Sequence, residues 1–234
     1  MMSWKSTFLL SAFSSLVFSA PTPQQVMQRC DVSQVPLSIP SGANATALAA
    51  PLSSGPTFIG AAIGTQNYTC NSGGTYTSAG AYAELFDISC LSSSSYSMVT
   101  DMMYSAWALA PSSMNTTDVL QSLALLGPLN VLGQHYFING STGALQAKWD
   151  FTSASQNGQP NAFVVGAKTG DIPDPSNPAT NVDWLSLNRT SGDLATQIFR
   201  VDTRGGQPPT TCVPGSPEIF VKYAAQYIFY GGSF

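Results

Sequence analysis

Apolar and polar residues alternate with a period of two along much of this chain, the spacing of strands that bury one face. The alternation is cleanest over residues 145–151. Leu145, Ala147, Trp149 and Phe151 take one parity, and Gln146, Lys148 and Asp150 the other. A strand-like run over 131–138 precedes it. Between the two sits Asn139-Gly140, whose residues tolerate positive φ and favour a tight reversal. The pair predicts a β-hairpin. Further strands are expected over 58–70, 81–89, 162–167, 184–187, 194–203 and 219–230. In 81–89 the apolar parity of Tyr82, Phe86 and Ile88 also contains Glu84; in 219–230 one face carries Ile219, Val221, Tyr223, Ala225, Tyr227 and Phe229.

Residues 97–126 break the pattern. Met98, Met102, Met103, Tyr104, Trp107 and Leu109 are followed by Thr117-Asp118 and a run from Val119 to Leu126. Thr117 reads as the N-cap of a helix ended by Gly127-Pro128. One or two short helices are expected here, and the methionines read as core filler rather than pocket lining. Upstream, Pro36, Pro40, Pro51 and Pro56 mark an extended arm over 21–56.

The N-terminus has a different apolar pattern. Lys5 precedes the run Phe8 to Phe18, and Ser19-Ala20-Pro21 follows, the order of a secretory signal peptide over 1–20. The run is too short to span a bilayer, so no transmembrane segment is expected, and the chain reads as secreted and extracellular. The remaining ~214 residues suit one β-rich domain over 57–234 with its helical insertion.

Charge narrows the function. Only 9% of residues are charged and the net charge is −4. The basic residues after the leader (Lys148, Lys168, Lys222, Arg29, Arg189, Arg200, Arg204) are scattered, which excludes a phosphate-tracking surface and hence nucleic acid as a partner. Asn44, Asn67, Asn115, Asn139 and Asn188 each open an N-glycosylation sequon, and glycans would solvate a charge-poor surface. Cys30, Cys70, Cys90 and Cys212 imply two disulfides in an oxidising compartment. Of the three connectivities, Cys30–Cys90 with Cys70–Cys212 is preferred, the second closing a long loop.

An ordered series of blocks carries a family resemblance: Gly64 to Cys70, Ala83 to Cys90, Leu132 to Phe137, Val182 to Leu185, Phe199 to Pro209 and Lys222 to Tyr230. Over residues 56–230 it resembles domain-of-unknown-function family 3455, most closely its fungal secreted branch. The resemblance implies a single secreted domain with no assigned activity. Members often carry the genome label malate dehydrogenase, which the residues oppose. A dinucleotide enzyme needs a glycine-rich turn between strand and helix, and no GxGxxG occurs.

Candidate chemistry is sparse. His135 is the single histidine, so any imidazole relay or ligand must use it. A two-residue turn would pair it with Ala144 on the face of Lys148 and Asp150. A loop over 139–143 would set it opposite Ala147 on the face of Leu145 and Trp149, as a core histidine, and this reading is preferred. No ligand spacing marks a metal site; Asp171, Asp174 and Asp183 read as a solvated turn rather than a calcium loop. Gly-x-Ser-x-Gly is absent, and carboxylate pairs among Glu84, Asp87, Asp150 and Asp183 have no diagnostic spacing. Arg200 and Asp202 are expected on one strand face, as an ion pair or a solvated face. Strand aromatics, foremost Tyr136, Trp149 and Trp184, are candidates for stacking on a sugar or other ligand.

The expected protein is therefore mainly β, a single antiparallel β-sandwich or barrel-like domain with a short helical insertion. No cofactor is expected. An extracellular binding or cell-wall-associated role, with a small-molecule or glycan ligand, is preferred to a hydrolase or metal-dependent enzyme built on His135 and a nearby carboxylate.

Overall fold

The computed structural model describes residues 30–39, 47–122 and 129–234. The leader, Asn44 and Gly127-Pro128 lie outside them. Eight antiparallel strands close into one barrel: β1 (Pro56–Cys70), β2 (Tyr76–Asp87), β3 (Val131–Asn139), β4 (Leu145–Asp150), β5 (Phe163–Ile172), β6 (Trp184–Ser191), β7 (Gln197–Gly205) and β8 (Ile219–Tyr230). Each pairs with its sequence neighbours, and β1 pairs with β8, from Phe58 opposite Phe229 to Tyr68 opposite Ile219. Closure leaves no edge strand to attract a second chain. Four connections, 71–75, 140–144, 173–183 and 206–218, rim one end of the barrel.

Two cores result. Inside, Phe58, Phe151 and Phe229 meet edge to face, with ring centroids 5.5–6.3 Å apart, and with Leu85, Leu132, Leu194 and Ile198 they plug the end opposite those four connections. Each aromatic pair adds about 0.5–1.5 kcal/mol beyond the area it buries. The wall elsewhere alternates large rings with small residues. A Cβ on Gly166 would lie 3.2 Å from Trp149 Cζ3 and 3.1 Å from Leu187 Cβ, so glycine there gives the indole its space.

Outside, α1 (Tyr96–Leu109) and α2 (Thr116–Gln121) form a second core with the arm. Val99, Met103 and Trp107 pack on outward-facing Ile63, Val201, Ala224 and Ile228, while Val32 and Leu48 of the arm belong to the same core. Strand β8 is therefore buried on both faces from Tyr223 to Tyr230. Lys222 fixes the end of α1: its ammonium donates to the Trp107 and Ala110 carbonyls (2.8 and 2.6 Å) and lies 4.6 Å from the Trp107 ring centroid. The disulfides join Cys30 to Cys90 and Cys70 to Cys212, the second linking the end of β1 to the 206–218 connection at the rimmed end.

Several local expectations are corrected. Tyr82, Glu84 and Phe86 of β2, with Ile88 just beyond it, face outward, because Ala83 and Leu85 fill the barrel. Glu84 is the docking point of α2, accepting from both Thr116 and Thr117 hydroxyls at 2.7 Å. The N-cap of α2 is Asn115, not Thr117; its side chain accepts from the Asp118 N–H at 2.8 Å. The β3–β4 loop spans 140–144, with Gly143 rather than Asn139-Gly140 at positive φ, so His135 faces Trp149 instead of Ala144 or Ala147. Arg200 and Asp202 part company as well. Asp202 sits at φ 49° in a bulge of β7, where its carboxylate accepts from Gln226, Arg204 and Ser97 on the outside. Arg200, opposite Tyr227, points into the barrel.

Candidate functional site: the barrel cavity

Above the phenylalanine plug the barrel holds a cavity of about 610 Å³ that opens between the four rim connections. Interior-facing positions of neighbouring strands build it: Gln66 and Tyr68 from β1, His135 and Phe137 from β3, Ala147 and Trp149 from β4, and Leu187, Arg200 and Tyr227 from β6, β7 and β8. Lys168, Asp171 and Asp183 stand at its mouth. An eight-stranded barrel has room to hold one small ligand, and a mostly apolar wall with few polar groups is the usual make-up of such a site.

His135 is 2% exposed and stacks on Trp149, centroids 4.4 Å apart and rings 13° from parallel. Its Nδ1 lies 2.9 Å from the Lys148 carbonyl oxygen, which can only accept, so Nδ1 carries the proton and Nε2 remains an acceptor. Burial drives its pKa down to about 3; the Lys148 carbonyl opposes the shift and the Arg200 charge adds to it. The imidazole is neutral through the physiological range. Asp150, envisaged as its partner, is on the outer surface, accepting from the Tyr136 hydroxyl and paired with Lys148 at 2.7 Å.

Arg200 is the group that sequence reasoning missed. Its Nε and Nη2 donate to the Asp183 carbonyl oxygen at 3.0 and 2.8 Å, and among the described residues it forms no ion pair with a carboxylate. Of the two acids at the mouth, Asp171 is paired with Lys168 at 2.6 Å. Asp183 is shifted upward by burial and by the neighbouring Asp171. Tyr68 donates to the Gly206 carbonyl at 2.8 Å, and burial pushes its hydroxyl up to about 12.

The three aromatic candidates separate. Trp149 lines the cavity, Tyr136 lies on the outer face, and Trp184 belongs to a knot beneath the rim. There Asp174, 1% exposed, accepts from Trp184 Nε1, Thr203 Oγ1, Asn181 Nδ2 and the Ser176 and Asn177 N–H groups at 2.8–3.2 Å. Burial alone would raise its carboxyl, but these donors outweigh it and hold the pKa at about 2. The expected solvated turn is thus a buried anchor at Asp174. The strand rings form no exposed stripe: Tyr68, Trp149, Trp184, Tyr223, Tyr227 and Tyr230 are all buried, and Tyr82 is 45% exposed.

A family model described as a protein of unknown function, DUF3455, matches residues 52–231, which covers all eight strands and the helical insertion. The chain belongs to the DUF3455 family. No curated protein and no solved structure matches it. The cavity of this DUF3455 chain lies wholly within the matched region. No group of three or more His, Cys, Asp or Glu side chains with metal-holding geometry occurs among the described residues, and no described helix is long and apolar enough to cross a membrane.

Proposed function

We propose that this DUF3455 chain is a secreted, glycosylated binding protein that holds one small molecule inside its barrel. One observation carries the reading: a barrel plugged at one end and open at the other encloses about 610 Å³ lined by rings and a few polar groups. The enzyme reading centred on His135 is weaker. A base with a pKa near 3 has little proton affinity at neutral pH, and none of its hydrogen bonds runs to a carboxylate. The described strands are antiparallel throughout, whereas dinucleotide chemistry uses the crevice of a parallel sheet.

The test is saturable, one-site binding of a neutral apolar reporter, N-phenyl-1-naphthylamine, followed by its fluorescence. The variant Ala147→Leu, which extends a side chain from the cavity wall, should weaken it at least fivefold. Equal affinity in the folded variant would move the binding site out of the barrel. Secretion is supported by the leader and by two disulfides. In protein from a secreting eukaryotic host, glycopeptide mapping should find Asn115 and Asn139 occupied, since both are exposed. Asn188, whose Oδ1 is buried within β6, should be occupied less. Occupancy at Asn188 above that at Asn139 would contradict this order.

A further inference from the structure

Four buried side-chain atoms of the described residues have no hydrogen-bond partner, and two of them, Gln66 Nε2 and Trp149 Nε1, belong to residues lining this cavity. Both atoms are donors. Trp149 is 1% and Gln66 7% exposed, and water does not reach either atom. The Gln66 amide leans toward the Tyr223 hydroxyl without completing a hydrogen bond. An unpaired buried donor costs about 1–3 kcal/mol, so a small side-chain shift that turned either N–H toward an acceptor atom in the cavity would be favourable.

Charge points the same way. Arg200 lies inside the barrel opposite Tyr227, and only the neutral Asp183 carbonyl occupies its Nε and Nη2. Its other close polar neighbour is the neutral Tyr227 hydroxyl, so the guanidinium lines the cavity without a carboxylate ion pair and can take one from a ligand. At the mouth, Lys168 neutralises Asp171, and Asp183 is the remaining acid facing Arg200. A dianion such as phosphate would bring a second negative charge beside the Asp183 carboxylate, whereas a singly charged carboxylate is matched by Arg200 alone. Beside that guanidinium the wall turns apolar and aromatic, through the His135–Trp149 stack, Tyr227, Phe137 and Leu187.

We propose that the barrel selects small aromatic or otherwise apolar monocarboxylates, with the carboxylate on Arg200 and the ring against the Trp149–His135 stack. This inference rests on the small-molecule reading above and deepens it. Isothermal titration of the intact protein with 1-naphthoate, 1-naphthamide and 1-naphthylmethylamine tests it, because the three share a ring system and differ in the charge of the head. Naphthoate should bind at least tenfold more tightly than the amide, and the amine more weakly still. Arg200→Gln should erase the preference. Because Arg200 also holds the 173–183 connection, Gln66→Glu is the second variant: it exchanges an unpartnered donor for an anion, and should weaken naphthoate at least tenfold more than it weakens the amide. Amide or amine binding as tightly as naphthoate, or a preference that survives both folded variants, overturns the carboxylate inference and leaves the binding reading intact. If none of the three binds and the reporter fails as well, both are overturned.

Discussion

Lowering the pH from 6.5 to 4 should cost this barrel about 3 kcal/mol of stability through a single imidazole. His135 has a folded pKa of about 3 against an unfolded value near 6.5. Between those values the unfolded chain binds the proton and the folded chain does not, so stability falls as pH falls, by about 1.4 kcal/mol per pH unit. The loss begins near pH 6.5 and stops growing near pH 3. Two carboxylates act in a lower window. Burial would raise Asp150 and Asp174, but their hydrogen bonds, and for Asp150 the Lys148 ammonium, hold both at about 2. Their contribution is complete above about pH 4 and is lost as pH falls toward 2. Urea midpoints between pH 4 and 7 therefore read mainly His135, opposed toward the low end by Asp183, whose raised carboxyl favours the folded state as pH falls. The wild-type midpoint should climb with pH across that range, and His135→Phe, less stable at pH 7 for want of the Lys148 hydrogen bond, should give a much flatter line. A flat wild-type curve would mean that His135 titrates in the folded barrel, which would restore it as a catalytic candidate.

Asp174→Ala should be the most damaging single exchange below the rim, at about 3–5 kcal/mol, because it strands the buried Trp184 Nε1, at about 1–3 kcal/mol for an unsatisfied donor, and removes the charged acceptor shared by Thr203 Oγ1, Asn181 Nδ2 and the Ser176 and Asn177 N–H groups, leaving Thr203 only the Val182 carbonyl and Asn181 Nδ2 only Ser176 Oγ. For a domain of this size that corresponds to a fall in Tm of roughly 6–20 °C. Asp174→Asn keeps the shape but turns one acceptor into a donor, and should lie between. The knot links the 173–183 connection to β7 through Thr203, and that connection supplies the carbonyl that orients Arg200. Ligand affinity should therefore fall together with Tm, measured by calorimetry on the same samples. A Tm change below 2 °C for the alanine variant would show that the knot is not holding the rim.

Strand positions were legible because a period of two survives even where both faces are buried, as in Tyr223 to Phe229. Closure was not, since alternation says which residues share a face but not which strand lies alongside. The parity of β2 misled for a related reason: its outward face mixes Phe86, part of the outer core, with Glu84, which α2 docks on, and the half-exposed Tyr82, while Ala83 and Leu85 fill the barrel side. His135 was placed on the correct face of β3 and opposite the wrong residue, because register is set by the loop, and Asn-Gly here is followed by four more loop residues before β4 begins. Of Tyr136, Trp149 and Trp184, Trp149 alone reached the cavity. Arg200 stayed hidden because the bulge at Asp202, which separates the two side chains, depends on pairing with β8 and on Ser97 of α1, more than a hundred residues away in sequence.

The up-and-down order of the barrel divides its labour. The four connections around the cavity mouth are all hairpin loops, while the long helical insertion leaves and rejoins the barrel at the plugged end and stiffens it from outside. Residues that meet an incoming ligand can thus change in length or sequence without disturbing the phenylalanine plug, the β1–β8 seam or the α1 docking surface. Related barrels built on this plan would be free to diverge in what they carry long before they diverge in how they fold, with the Cys70–Cys212 bridge and the Asp174 knot as the fixed points of an otherwise replaceable rim.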